Sequence, residues 1–142
     1  MSCCCNEDFK NVFCVEEEKF KTVSLSVVIR MPLEREFVTF NALLPYVLKR
    51  GCEKFDTLRK INIKTEKMLG AVFDANVVKK GEEQILQFFI EVVDKEELFE
   101  EATEFLSEVI LKPLVRDGCF YKEYVESEKD FLKNEILSRK KR

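Results

Sequence analysis

Polar and apolar residues nearly alternate along residues 20 to 31, FKTVSLSVVIRM. Period two with β-branched enrichment predicts a strand. Phe20, Thr22, Ser24, Ser26 and Val28 fall on one face, and Val23, Leu25, Val27 and Ile29 on the other. The second, continuously apolar face is expected to meet helices, and Pro32 ends the run. The period then changes. Phe37, Phe40, Leu44, Val47 and Leu48 recur at helical spacing and predict a helix over about 34 to 50, the element around which the chain is organised. Lys49 and Arg50 suit the negative end of its dipole, and Gly51 reads as the residue just beyond its end. Pro45 removes a backbone donor in mid-helix and is expected to loosen the preceding turn.

The remaining pattern follows the same two periods. Asp56 reads as the N-cap of a helix over 57 to 69 with Leu58, Ile61, Thr65 and Met68 on one face, stopped by Gly70. Residues 71 to 79 and 83 to 93 read as paired strands joined at Lys79-Lys80-Gly81-Glu82. Asp94 reads as the cap of a third helix, 95 to 111, with Leu98, Ala102, Phe105, Leu106 and Val109 inward, ended by Lys112-Pro113. A last helix is expected over 122 to 138. Residues 1 to 9 are expected to be frayed, 10 to 15 a short strand and 16 to 19 a charged turn. This order predicts one α+β domain over 10 to 142, with a mostly antiparallel sheet and helices packed on one face.

Composition narrows the chemistry. The chain has 142 residues, 46% of them hydrophobic, thirteen of them phenylalanine, which is enough for a core in a single domain. It contains no histidine. Ser-His-Asp and Cys-His catalysis and both histidine-glutamate zinc motifs are thereby excluded within this chain. No cofactor and no metal is expected. A net charge of −3 gives no reason to expect nucleic acid, and no apolar run approaches the roughly 20 residues of a membrane helix. Met1 is followed by neither a basic region nor an apolar core, so the expected compartment is the cytoplasm. Of six cysteines, Cys3, Cys4 and Cys5 are adjacent, while Cys14, Cys52 and Cys119 are scattered, and none forms a C-x-x-C pair. A soft-metal site from Cys3, Cys5 and Cys14 stands against the plainer reading of reduced terminal thiols and small buried side chains.

The last helix carries the most informative polar residues. Its apolar stripe is Tyr121, Tyr124, Val125, Phe131, Leu132 and Ile136, and Glu128 and Glu135 fall inside it. They are seven positions apart, two turns, and point the same way. Carboxylates are seldom buried unpaired. Either this face lines a cleft or a cation answers them. The acidic residues at 96, 97, 100, 101 and 104 read instead as the solvated face of the third helix, and Ser138 to Arg142 as a polar end.

Several ordered segments carry a family resemblance: LLPYVLKRG followed by C-E-K-F, then K-M-L-G-A, the helix ending in K-P, and E-x6-E. Together they resemble the N-terminal portion of the pitrilysin, insulinase and mitochondrial processing peptidase family. That family carries H-x-x-E-H on the first of these helices. The resemblance places the motif on Ala42-Leu43-Leu44-Pro45-Tyr46. Ala42 and Tyr46 stand at the two histidine positions and Pro45 at the catalytic glutamate. It places the third zinc ligand on Glu135 and that ligand's partner on Glu128, so one ligand of three remains and a vestigial cleft is implied. The wording LLPYVL-K-R-G resembles the non-catalytic bacterial members associated with modification of elongation factor P, which are usually encoded beside an active sister.

The resemblance implies a non-catalytic peptidase homologue that binds a protein or peptide partner, such as an active sister peptidase subunit, through an exposed sheet edge, in a homo- or hetero-oligomer. Two other readings stand beside it: a zinc peptidase whose ligands come from a partner or from further chain, and a structural α+β interaction module. Family members run to two longer domains. The segment is therefore expected to be either cut from a longer protein or the product of a shortened gene.

Overall fold

The computed structural model describes residues 11–139. The fold is α+β. It runs β1 (Thr22–Pro32), α1 (Val38–Leu48), α2 (Leu58–Lys67), β2 (Val72–Lys80), β3 (Glu83–Val93), α3 (Glu96–Leu111), β4 (Val115–Arg116), β5 (Cys119–Phe120) and α4 (Lys122–Arg139). The main sheet has the order β1-β3-β2 and is antiparallel throughout.

β3 is the central strand, and its burial alternates most regularly. Leu86, Phe88, Ile90 and Val92 are all essentially inaccessible on the helix-covered face. Opposite them on the same face lie Val23, Leu25, Val27 and Ile29 of β1, the face the alternation predicts, and Phe73, Ala75 and Val77 of β2. The β2–β3 turn is the two-residue loop Gly81-Glu82, with Gly81 at φ +63°, a conformation glycine adopts without steric cost.

Backbone hydrogen bonds settle which way each strand's peptide groups point. Asp94 N–H donates to Lys21 C=O at 2.9 Å and Leu33 N–H to Glu82 C=O at 2.8 Å. In an antiparallel ladder these pairs alternate. The odd-numbered residues of β1 therefore turn their amides and carbonyls to β3, and the even-numbered ones turn theirs outward. Carried across β3, the same alternation turns the odd-numbered residues of β2 outward.

The core joins this sheet face to the helices. α3 contributes Leu98, Ala102, Phe105, Leu106 and Val109, the stripe expected of it. Ile61 and Met68 come from and beside α2, and Leu48 from α1. Phe105 stands edge-on to Phe73 at 5.1 Å between centroids and tilted against Phe55 at 5.8 Å.

Several local expectations are corrected. No strand of more than a single bridging position forms between residues 11 and 19, and the expected frayed segment 1 to 9 lies outside the described residues. On α1, Phe37 and Phe40 are exposed, while Asn41, Leu43 and Pro45 are buried with Val47 and Leu48. α1 is gripped from two sides, by the sheet and by α4. Its burial therefore does not follow a single stripe. The cap of α2 is Thr57, whose hydroxyl accepts from Lys60 N–H, and not Asp56, which instead pairs with Lys60. Asp94 does not cap α3; Lys95 takes that position without a side-chain bond. Gly51 is not a left-handed cap. A Cβ there would lie 2.9 Å from Phe55 O, so the glycine admits a close backbone approach in the loop after α1. The β4–β5 hairpin, unforeseen, turns on Asp117-Gly118, both at positive φ, as Asp-Gly turns prefer.

Candidate functional site

The end of α1 is the hinge of the site. Lys49 and Arg50 leave the helix where its carbonyls are exposed, and they reach in different directions. Arg50 meets Glu128 of α4, 78 positions later, and donates also to the Ser127 hydroxyl at 3.1 Å. Lys49 pairs with Asp74 of β2. α4 is fastened along α1 by this ion pair and by Tyr46 against Phe131, 6.4 Å between ring centroids. It is tied to the following loop by the Tyr124 hydroxyl, which donates to the Asp56 carbonyl at 3.1 Å.

Between α1, α2, α4 and the outer edge of β2 lies an open cleft of about 780 Å³. Its floor is the backbone edge of residues 71 to 76, and Tyr46, Glu128, Phe131 and Glu135 stand on its α1 and α4 sides. The two-turn spacing of Glu128 and Glu135 thus brings both to one cavity. Glu128 is 6% exposed, and Arg50 is the cation that answers it. Glu135 is half-buried and is not without a partner. Of the remaining predicted positions, Tyr46 lines the cleft, whereas Pro45 is fully buried in α1 and Ala42 is half-buried away from the lining. Sequence reasoning missed Asp74 and the pairing of Arg50; the signal for the second was the carboxylate in an apolar stripe, which needs a cation.

Asp74 shapes the edge. Its carboxylate accepts the outward-pointing N–H of Ala75 at 2.8 Å while held by Lys49. Thr65 C=O similarly accepts from Ala71 N–H at 2.9 Å. The outward peptide groups of Phe73 and Val77 have no strand beside them among the described residues. Inside the cleft the Asn76 side-chain oxygen is buried without a hydrogen-bond donor.

Burial pushes the Asp74 carboxyl up, but the Lys49 ammonium and the Ala75 amide outweigh it and leave its pKa below the ordinary value. A depressed carboxyl stabilises the fold above its unfolded pKa, and that contribution disappears as pH falls through the folded value. We expect Asp74→Asn to lose the corresponding part of the acid limb in stability-versus-pH curves. With Asp74 half in solvent, the difference near neutrality should be ~0.2–1 kcal/mol. In the native protein the Ala75 amide resonance should titrate with the Asp74 carboxyl, below the ordinary aspartate range. An Ala75 amide unmoved down to the acid transition would remove the contact.

Among the described residues no group of three or more histidine, cysteine, aspartate or glutamate side chains is arranged to hold a metal ion. Cys3, Cys4 and Cys5 lie outside the described residues. Cys14 and Cys119 are exposed, and Cys52 is buried, with burial raising its thiol pKa. Among these residues no helix is long and apolar enough to cross a membrane.

No family model matches the chain. A curated Bacillus subtilis (strain 168) protein, "Probable inactive metalloprotease YmfF", is 34% identical over 128 residues, 86% of this chain. The chain is similar to a probable inactive metalloprotease. It spans about 30% of that relative's length. The fold matches a conserved protein from Enterococcus faecalis V583, known from its crystal structure, with a TM-score of 0.83 and 27% identity, covering 89% of this chain and 31% of that one. In sequence the chain is therefore metallopeptidase-like, and it corresponds to under a third of each of these longer proteins.

Proposed function

We propose that this chain is a non-catalytic homologue of the insulinase and pitrilysin zinc peptidases that holds an extended peptide, or an extended segment of a partner such as an active sister subunit, along the outer edge of β2. The observation that carries this reading is that the outward peptide group of Phe73 opens into the cleft, beside the carboxylates of α4, and that the unpaired edge continues past it to Val77. A strand laid there would gain main-chain hydrogen bonds from the edge and side-chain contacts from Tyr46 and Phe131. Non-catalysis follows from the residues at the positions of the resembling motif. Ala42 and Tyr46 replace the two imidazoles, Pro45 replaces the general base, and Glu135 is a lone ligand position, too few for catalytic zinc. Glu128, the partner position, is spent on Arg50. The name of the curated relative supports the same reading, and a link to elongation factor P modification belongs to the proposal on the wording of α1 alone.

Two measurements on the purified chain test it. Unfolded, fluorescein-labelled casein should bind without being cleaved, zinc should be sub-stoichiometric, and amide exchange at Phe73 and Val77 should slow on binding. Cleavage with stoichiometric zinc sinks the non-catalytic reading. Binding that leaves both amides unprotected sinks the β2 edge.

A further inference from the structure

The β2 edge is closed at alternate donors. Ala71 N–H is taken by the Thr65 carbonyl at 2.9 Å. Ala75 N–H is taken by the Asp74 carboxylate at 2.8 Å. Phe73 and Val77, on either side of Ala75, have no strand beside them among the described residues. An added strand pairs with each outward residue in turn, so it meets Phe73, Ala75 and Val77 together. Its central carbonyl finds the Ala75 donor already held by a carboxylate oxygen. The two closures differ in kind. The Thr65 carbonyl belongs to α2 and moves only with the helix. Asp74 closes the edge with a side chain, which leaves by changing rotamer. That side chain is 49% exposed, and the Lys49 side chain that holds it is 30% exposed. Lys49 caps the C-terminal end of α1 and reaches the carboxylate from the α1 side of the cleft. Burial raises the Asp74 pKa, yet Lys49 and the Ala75 amide together leave it low, so the carboxylate is ionised near neutrality.

We propose that Lys49 and Asp74 form a latch on the β2 edge: the Asp74 carboxylate stands where the carbonyl of an added strand must sit, and an extended peptide docks by displacing it from the Ala75 amide. The inference rests on the β2 edge being the seat of the peptide. An unguarded edge pairs with any extended chain. With its central donor closed, this edge admits only a peptide whose other contacts outweigh the carboxylate–amide bond. Those contacts are the peptide groups of Phe73 and Val77 and the rings of Tyr46 and Phe131 in the cleft. Opening the latch is a small step. Lys49 carries its ammonium on a flexible four-carbon stem and follows the carboxylate as it turns away. Displacement therefore breaks one hydrogen bond and leaves the ion pair made, and the incoming carbonyl satisfies the amide that Asp74 gives up.

The test compares the unaltered chain with Asp74→Ala, which removes both the charge and the acceptor, and with Asp74→Asn, which removes the charge and keeps an acceptor for the Ala75 amide. In the free, unaltered chain the Ala75 amide should exchange more slowly than those of Phe73 and Val77, and in Asp74→Ala all three should exchange alike. Fluorescein-labelled unfolded casein should bind Asp74→Ala about 3- to 10-fold more tightly than the unaltered chain, the worth of one hydrogen bond. Asp74→Asn should gain distinctly less. In every bound protein Phe73 and Val77 should be protected. Equal gains in the two variants assign the effect to charge alone and overturn the latch. So does an unchanged affinity in Asp74→Ala with Phe73 and Val77 protected, and in both cases the β2 edge stands as the seat. Casein that binds and leaves Phe73 and Val77 unprotected in all three proteins removes the seat itself, and the latch with it.

Discussion

Replacing Arg50 with alanine should cost about 2–4 kcal/mol of stability, although the residue is charged and sits at the end of a helix. The cost arises at the other end of the bond. Glu128 is 8% exposed at its side chain, and Arg50 is its cation and principal donor. Without the guanidinium the carboxylate is left desolvated and without its cation in the α1–α4 contact. Arg50 itself is about one-third exposed, which tempers the loss relative to a fully buried pair. The asymmetry gives the decisive comparison. Glu128→Gln should be milder than Arg50→Ala, because an amide can still accept from the guanidinium. The double variant Arg50→Met with Glu128→Leu should recover much of the loss by removing both buried charges. Urea unfolding of the four proteins measures all of this, and a double variant as unstable as Arg50→Ala would show that the ion pair is more than mutual neutralisation. The same series bears on function, since Arg50 and Glu128 fasten α4 as one wall of the cleft. In Arg50→Ala the cleft should open before the core melts, seen as faster amide exchange in α4 than in β3.

How legible the molecule was depends on the range of the interactions involved. The β2–β3 hairpin follows from two β-prone runs and a glycine at the turn, and the buried stripe of α3 follows from one helical face packed on one sheet. α1 defeats the same reading. It has apolar residues around most of its circumference, and only the arrival of α4 decides that Leu43 and Pro45 are buried while Phe40 points to solvent. The cap positions shifted by one residue because Asp56 and Thr57 compete for one role, and a lysine one turn on drew Asp56 away. The α4 carboxylates were conspicuous in sequence because they sit in an apolar stripe. Their cation was not, because it lies 78 positions away and reads locally as an ordinary helix-terminal charge. Asp74 was invisible for a further reason: its importance lies in which backbone amide it meets, and that depends on the phase of the ladder. The uncovered second half of the α4 stripe, Phe131 and Ile136 about half-exposed, likewise reflects what the described fold does not place against it.

The largest single loss should come from Phe105→Ala, about 3–5 kcal/mol, which is a large share of the stability of a domain this size. Phe105 is 1% exposed and is the point where three separate parts of the chain meet: α3, β2 through Phe73, and the loop after α1 through Phe55. Truncation removes the transfer energy of a buried ring and two aromatic contacts, and it leaves a cavity. Collapse around that cavity is hindered on both sides. Phe73 is held in the ladder opposite Ile90. Phe55 is held by its own backbone, whose carbonyl accepts from Cys52 N–H at 2.9 Å and lies against Gly51, where a Cβ would have no room. With neither neighbour able to move in, the loss should fall toward the upper end of the range. Phe105→Leu keeps most of the volume and should cost under about 1.5 kcal/mol. Denaturant midpoints at unchanged slope are the measurement. If Phe105→Ala and Phe105→Leu proved equally mild, the three-way junction would not be where the helices are locked to the sheet. If the ranking holds, β2 owes its position beside the cleft to a ring on the opposite side of its own backbone. Mutations that loosen Phe105 should then weaken any strand bound at the β2 edge without touching a residue that lines it.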